Sequence, residues 1–239
     1  MTGSDPQHPT RLPAADFDFA EQGISCTLMV CRDRGQTRSR RVESGILDRA
    51  GGQRRLDGMI VLRPPLSETE VRRLRAGQEV AVSGIIYTAR DMAHKRLCEA
   101  LDRAEPLPIP LEGAIIYFVG PTPARPGAVI GAAGPTTSAR MDPFSPKLIA
   151  HGLRAMIGKG YRNEEVRRAL QQYGAVHLAT LGGAGALLSR HITRAEVVAY
   201  EDLGTEAIRR LEVVDFPAVV AYDATGGSVY DLKNGVSGV

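Results

Sequence analysis

Tryptophan is absent from this sequence and aromatic residues make up only 5% of it, too few for a row of base-stacking platforms along a nucleic-acid groove. An excess of one charge is missing as well: 30 Lys and Arg stand against 27 Asp and Glu, a formal net charge of +3. Nothing in that balance calls for a nucleic-acid partner. No run approaches the roughly 18 apolar residues of a membrane span, and the amino terminus lacks the basic start and apolar stretch of a secretory signal. The expectation is a soluble, cytoplasmic protein with neither a nucleic-acid nor a membrane partner. Cysteine is sparse and odd in number: Cys26, Cys31 and Cys98 lack the close pairing of a zinc site or a disulfide framework. Ordinary reduced thiols are one reading, and a metal pair from Cys26 and Cys31 is the other. Cys98 falls on a predicted amphipathic helix and reads as core.

What is present is enough apolar material to bury a core, 43% of 239 residues, which fits one large domain or one domain with an appendage. Residues 1–57 differ from the rest. They are rich in Pro, Asp and Gln at first and then carry Arg32, Arg34, Arg38, Arg40, Arg41, Arg49, Arg54 and Arg55. Such a segment buries little, and the expectation is a flexible, Arg-rich extension, with one short strand over Ile24 to Val30. A solvated tail and a docking arm for a partner subunit both fit it. Residues 58–239 are expected to form the folded domain, and Met59 is an alternative start.

From Pro65 the signals become regular. Ser67 with Glu70 forms a capping box for a short helix closed by Gly77. Val80 to Tyr87 alternates and reads as a strand. Thr88-Ala89-Arg90-Asp91-Met92-Ala93-His94 then opens a helix to about Ala104, and the amino end of a helix after a strand is where anions bind. Arg90 and His94 share a face of it. Ala114 to Val119 is an apolar run and hence a buried strand. Ala155 to Ile157 is a strand ending at Gly158-Lys159-Gly160, and Asn163 caps a helix to Tyr173. Val176 to Leu181, Val197 to Tyr200, Arg210 to Val213 and Ala218 to Tyr222 complete the strands. Alternating strands and helices give an α/β domain with a mainly parallel sheet and flanking helices. His151, His177 and His191 have no partner at metal spacing and read as structural.

Between these elements lies Gly131-Ala-Ala-Gly-Pro-Thr-Thr-Ser-Ala-Arg-Met-Asp142. Gly131 and Gly134 allow close backbone approach, Thr136, Thr137 and Ser138 offer hydroxyls, and Arg140 adds a cationic fork, together a small anion pocket. A capped helix start with a surface arginine fits the same residues. Gly182-Gly183-Ala184-Gly185 serves either packing or a ligand.

Four segments together resemble a known family: Ser83 to Asp91 with Ala93-His94-Lys95-Arg96, Gly134 to Asp142, Met156 to Gly160, and Tyr200 to Gly204 with Glu206-Ala207-Ile208. They are similar to the carboxy-terminal domain, or separate β subunit, of class I iron-sulfur fumarate hydratases and the related L(+)-tartrate dehydratases, over about Pro65 to Tyr230. Residues before Met59 have no counterpart in that resemblance. It implies a swivelling β/β/α domain and reversible hydration of a dicarboxylate, fumarate to (S)-malate, as a hydro-lyase. It also implies a [4Fe-4S] cluster held by a separate α subunit in an α2β2-type assembly, with no metal ligand on this chain. By the same resemblance Arg90, Arg140 and Lys159 bind substrate, Thr136 stands at the place of the base, and Asp91 and His94 orient Arg90. Gly131 joins the substrate-binding set through the close backbone approach that its stretch allows. An aliphatic hydroxyl is a poor base unless a neighbouring cation lowers its pKa. The alternatives are an L(+)-tartrate dehydratase β subunit, converting tartrate to oxaloacetate, and a non-catalytic anion-binding or assembly subunit of the same fold.

Overall fold

The computed structural model describes residues 55–56, 59–180 and 183–231, all within a compact unit spanning Gly45–Val239. The expected strand over Ile24 to Val30, the pair Cys26 and Cys31, and the arginine-rich segment before Arg55 lie outside the described residues, as do Leu181 and Gly182.

Among the described residues eight strands form one sheet: β1 Arg55–Leu56, β2 Met59–Leu62, β3 Glu79–Thr88, β4 Ile115–Tyr117, β5 Ala155–Gly158, β6 Val176–Ala179, β7 Ile192–Ala199 and β8 Ile208–Tyr222. Strands β2 to β6 run parallel in chain order, as α-helical crossovers dictate. The expectation of a mainly parallel sheet is corrected, because the sheet is mixed. The segments read as separate strands, Arg210 to Val213 and Ala218 to Tyr222, are one strand of 15 residues, β8. It lies antiparallel to β7, β6 and β3. Only residues 200–207 join β7 to β8, too few for a parallel crossover, so the chain turns back on itself. Through β8 the pairing β3–β4–β5–β6–β8 closes on β3. A bulge lets the long strand follow this curvature: Asp215 takes φ +50, and its amide donates to Ser83 Oγ at 2.9 Å while that hydroxyl donates to Asp215 Oδ1 at 3.0 Å.

Two apolar clusters lie on the two faces of the parallel strands. Ile115, Tyr117 and Val119 enter one with Val82, Ile157, Leu178 and Phe216. Ile116 and Phe118 enter the other with Met156 and the helix residues Ala93, Leu97, Leu148 and Leu170. Alternate residues of one strand are thus buried on opposite faces, which is why Ala114 to Val119 reads as an unbroken apolar run.

The helices are α1 Glu68–Val71, α2 Asp91–Asp102, α3 Ser145–Ala150, α4 Glu164–Tyr173 and α5 Gly185–Leu188. The capping box on α1 is present, Glu70 N donating to Ser67 Oγ and Ser67 N to Glu70 Oε2. Asn163 caps α4 by accepting from Val166 N at 2.9 Å, and Gly174 ends it in the left-handed region. Helix α2 starts differently: its N-cap is Arg90, whose side chain makes no capping hydrogen bond. Arginine carries five donors and no acceptor, so it has nothing to offer a free amide. No described helix is long and apolar enough to cross a membrane.

Candidate functional site

The carboxyl ends of β3, β4 and β5 lie side by side, and the segments leaving them carry Arg90, Phe118 to Gly120, and Lys159. Crevices beyond the carboxyl ends of parallel strands are the usual seat of ligands in α/β sheets. The loop from Gly131 crosses this edge and is sewn to it by main-chain bonds. Thr136 N donates to Phe118 O at 2.8 Å, Lys159 N to Thr136 O at 3.3 Å and Ser138 N to Lys159 O at 2.8 Å. Thr137 and Lys159 thereby form a short parallel bridge, which holds Thr136 beside the start of the lysine. Further back, Tyr117 Oη donates to Ala133 O, and Ala133 N donates to Gly185 O at 3.0 Å. Gly185 itself packs against Gly134, since a Cβ on Gly185 would stand 2.8 Å from Gly134 N. Gly185, the first residue of α5, thus packs the pocket loop in place.

Arg140 follows on a 3-10 helix, Ser138–Met141. Its Nε donates to Asp91 Oδ1 at 2.8 Å, and Arg90 Nε lies 3.8 Å from Asp91 Oδ2. One carboxylate therefore stands between the two guanidinium groups expected to bind substrate. Arg90 Nη2 also faces Glu206 Oε1 at 3.5 Å. Neither carboxylate is within hydrogen-bonding distance of Arg90. Among the described residues four buried side-chain polar atoms lack a hydrogen-bond partner, and three of them are Arg90 Nε, Asp91 Oδ2 and His94 Nε2. Folded proteins pair nearly all such groups, so their gathering at the start of α2 marks it for something other than stability.

His94 is fully buried, edge-on to Phe118 with ring centroids 5.2 Å apart. Its Nδ1 lies 2.9 Å from Arg90 O, the backbone carbonyl and not the guanidinium, so its contact with Arg90 sets the first turn of α2. Burial lowers its pKa to about 4, aided by the charge of Arg162 and opposed by the Arg90 carbonyl and Asp91. The ring is neutral at pH 7, with the hydrogen on Nδ1 donated to that carbonyl. Gly131 is held tightly, because a Cβ there would stand 2.1 Å from Thr122 O. This loop-against-loop contact requires glycine, and the atoms that a Cβ would meet first belong to Thr122 and Pro123.

Beneath the loop runs a buried polar chain that spacing did not single out. Ser138 Oγ lies 3.1 Å from His177 Nε2, and Arg162 Nη1 lies 3.3 Å from His177 Nδ1. A guanidinium only donates, so Nδ1 accepts and the Nε2 hydrogen goes to Ser138. Burial and the Arg162 charge hold the His177 pKa well below the usual range, consistent with that neutral form. Arg162 Nε donates to Asp142 Oδ1 at 2.6 Å and Nη2 to Ser145 Oγ at 2.6 Å. Asp142 Oδ2 accepts from Asn163 N at 2.8 Å. Ser138 and Asp142 bracket Arg140 in sequence, so this chain anchors the turn that presents it. His177, 39 positions from Ser138, gives no local signal of that role.

Among the described residues no group of three or more His, Cys, Asp or Glu is arranged to hold a metal ion. Cys98 sits in the core with its thiol pushed up to about 11 by burial, the wrong state for a thiolate ligand. These side chains do not fit an iron-sulfur cluster.

A family model described as "Fumarase C-terminus" matches residues 42–233, and so takes in part of the Arg-rich segment. The chain is 39% identical over 175 residues to "Putative L(+)-tartrate dehydratase subunit beta" of Methanocaldococcus jannaschii, covering 71% of this chain and 90% of that protein. It is 35% identical over 177 residues to "Fumarate hydratase 1, mitochondrial" of Leishmania major, covering 72% of this chain and 32% of that one. It is 36% identical over 173 residues to "Fumarate hydratase class I, aerobic" of Salmonella typhimurium, covering 71% and 30%. The chain thus spans about a third of these fumarate hydratases but nearly the whole of the subunit.

Proposed function

Because the chain belongs to the fumarase C-terminus family, we propose that it is the β subunit of a two-component hydro-lyase that reversibly hydrates fumarate to (S)-malate. The observation that carries the reading is the pair of arginines gathered on Asp91 at the amino end of α2. A substrate of charge minus two needs several cations, and planar guanidinium groups fix its orientation as well as its charge.

In this proposal Arg90 and Arg140 bind the two carboxylates, while Gly131 lets the loop backbone lie close to the bound acid. In the dehydration direction Thr136, its hydroxyl deprotonated beside the Lys159 ammonium, takes through Oγ1 the proton next to a malate carboxylate. That carboxylate becomes an aci-carboxylate, stabilised by Lys159 and Arg140, and collapses to fumarate as the neighbouring C–O bond breaks and hydroxide leaves. Asp91 and His94 hold Arg90 in place, the first through its carboxylate and the second through the Arg90 carbonyl. The main-chain bonds that join the Thr136 loop to the segment leaving β5 at Lys159 support a reading in which these two residues act side by side.

A [4Fe-4S] cluster belongs to a separate α subunit in this reading, since the side chains of the described residues do not fit one. The shared length with a protein named as a β subunit supports a second polypeptide. So do Met92, Val129, Tyr161 and Leu187, large apolar side chains exposed on the segments that leave β3, β5 and β6 and lead into the pocket loop. A swivelling β/β/α domain, an α2β2-type assembly and a cytoplasmic location complete the proposal.

Co-production with a cluster-bearing α subunit, and reconstitution without oxygen, should give malate from fumarate, whereas either chain alone should not. No turnover from the reconstituted pair overturns the proposal. A second reading, dehydration of L(+)-tartrate to oxaloacetate, draws on the subunit of which the chain spans 90%. Rates on fumarate and L(+)-tartrate measured side by side decide between them.

A further inference from the structure

Resting on that reading, we propose that Glu206 is the positioning residue that fixes the Arg90 guanidinium for substrate while also capping helix α2. The starting point is the misfit at the N-cap. Helix α2 has 12 residues and opens on an arginine that supplies no acceptor, so its first amides need one from elsewhere. Glu206 supplies it across 114 positions, accepting from Met92 N through Oε2 at 3.1 Å. The other oxygen, Oε1, faces Arg90 Nη2 at 3.5 Å. One carboxylate thus has two separate tasks, one oxygen on the helix and the other on the arginine.

The remaining surroundings of Arg90 make that second contact directional. A Cβ on Gly120 would stand 2.7 Å from Arg90 Nη1 and 3.2 Å from Arg90 Cδ, with Thr205 O at 3.3 Å. The guanidinium therefore lies across the backbone of Gly120 on one side, with Glu206 on another and Asp91 Oδ2 3.8 Å from Nε on a third. Glu206 itself ends the 3-10 segment Glu201–Glu206. That segment is tied to α2 a second time, by Arg96 Nη1 donating to Asp202 Oδ1 at 2.8 Å. A carboxylate anchored on a helix amide is a fixed electrostatic reference, and it turns a flexible side chain into an oriented fork before substrate arrives. At 3.5 Å the contact is an ion pair and not a hydrogen bond, so it orients the donors without consuming them.

Two substitutions separate the tasks. Glu206→Gln keeps an acceptor oxygen for Met92 N–H but removes the charge facing Arg90, whereas Glu206→Ala removes both. In the reconstituted two-subunit enzyme, Glu206→Gln should melt within about 1 °C of wild type and lose about tenfold in kcat/KM. Glu206→Ala should lose at least as much kcat/KM and also melt about 2–4 °C lower, as loss of a helix cap requires. A readout independent of turnover is rotation about the Arg90 Cζ–Nε bond, followed by nitrogen NMR of the arginine side chains and assigned with Arg90→Lys. Separate Nη signals in wild type should merge in Glu206→Gln. Wild-type kcat/KM together with unmerged signals in Glu206→Gln would overturn the proposal and leave Glu206 a cap alone. Should the wild-type pair fail to turn over either dicarboxylate, the functional reading fails, and the NMR comparison still decides whether Glu206 fixes Arg90.

Discussion

Arg140 and Asp91, 49 positions apart, are joined by a 2.8 Å hydrogen bond from Nε to Oδ1. That bond links the loop after β4 to the first turn of α2 and places a second guanidinium beside the carboxylate that already faces Arg90. Like charges brought close need a counter-charge between them, and Asp91 is that group.

Replacing Asp91 with Asn should therefore harm function more than folding. The Asp91–Arg140 pair is partly exposed, 25% and 51% for its two side chains, and such pairs contribute only about 0–1 kcal/mol. The expected result is a near-wild-type thermal midpoint with kcat/KM lowered about 10- to 100-fold, by analogy with other misplaced binding groups. Steady-state kinetics on the reconstituted pair beside a thermal melt checks both halves, and undiminished kcat/KM would release Asp91 from this role.

Arg140→Ala should cost about 100- to 1,000-fold in turnover, the scale of losing one donor aimed at developing charge. Because the side chain is half exposed, urea unfolding should hardly change. Unaltered turnover would remove Arg140 from the proposed site.

Gly120→Ala tests the floor beneath Arg90. The new methyl would meet the far end of a flexible side chain, Nη1 at 2.7 Å, so the arginine must move while the fold persists. KM for the dicarboxylate should rise several-fold with kcat less affected, as expected for a group that binds ground and transition states alike. Initial rates across substrate concentration give the split, and an unchanged KM would show that Arg90 does not need this position.

Arg162→Ala should be the costly change for stability. Its side chain is wholly buried against Asp142, and removing one partner of such a pair strands the other, at about 3–5 kcal/mol. Loss of native circular dichroism or a large fall in the urea midpoint is expected, and a small effect would contradict the buried chain from Ser138 to Asp142.

Acid should destabilise the protein earlier than its carboxylates require. His94 titrates near 6.5 when unfolded and at about 4 when folded, so between those values the unfolded chain binds more protons. Stability contributed by the neutral ring is full above about pH 6.5 and is lost as pH falls towards 4, amounting to roughly 3 kcal/mol for a shift of this size. His177, shifted the same way, adds to the loss. Urea midpoints should be level above neutrality and decline through this window, and a flat profile down to pH 4 would refute the buried neutral imidazoles.

Local order was written plainly in the chain. Ser67 with Glu70, and Asn163 before α4, announce helix starts because capping is settled within four residues. Ala114 to Val119 announces a strand buried on both faces because pleating alternates side chains between two apolar clusters. The direction of β8 was hidden, since nothing within a strand states which neighbours it will meet. His177 and Glu206 were hidden for the same reason. Each acts on residues 39 and 114 positions away, and no spacing rule reaches that far.

By itself, the sequence supplied the side chains proposed to meet an anion, Arg90, Thr136, Arg140 and Lys159, and placed Arg90 at the start of a helix and Lys159 at the end of a strand. Only the tertiary structure decided that Arg90 and Arg140 share Asp91, that Lys159 is bonded to the threonine loop, and that Glu206 completes a helix whose own first residue cannot. The physical reason is that capping and pleating are short-range and repeat along the chain. Ion pairs and buried polar chains depend on distances through space that exist only once the strands have paired.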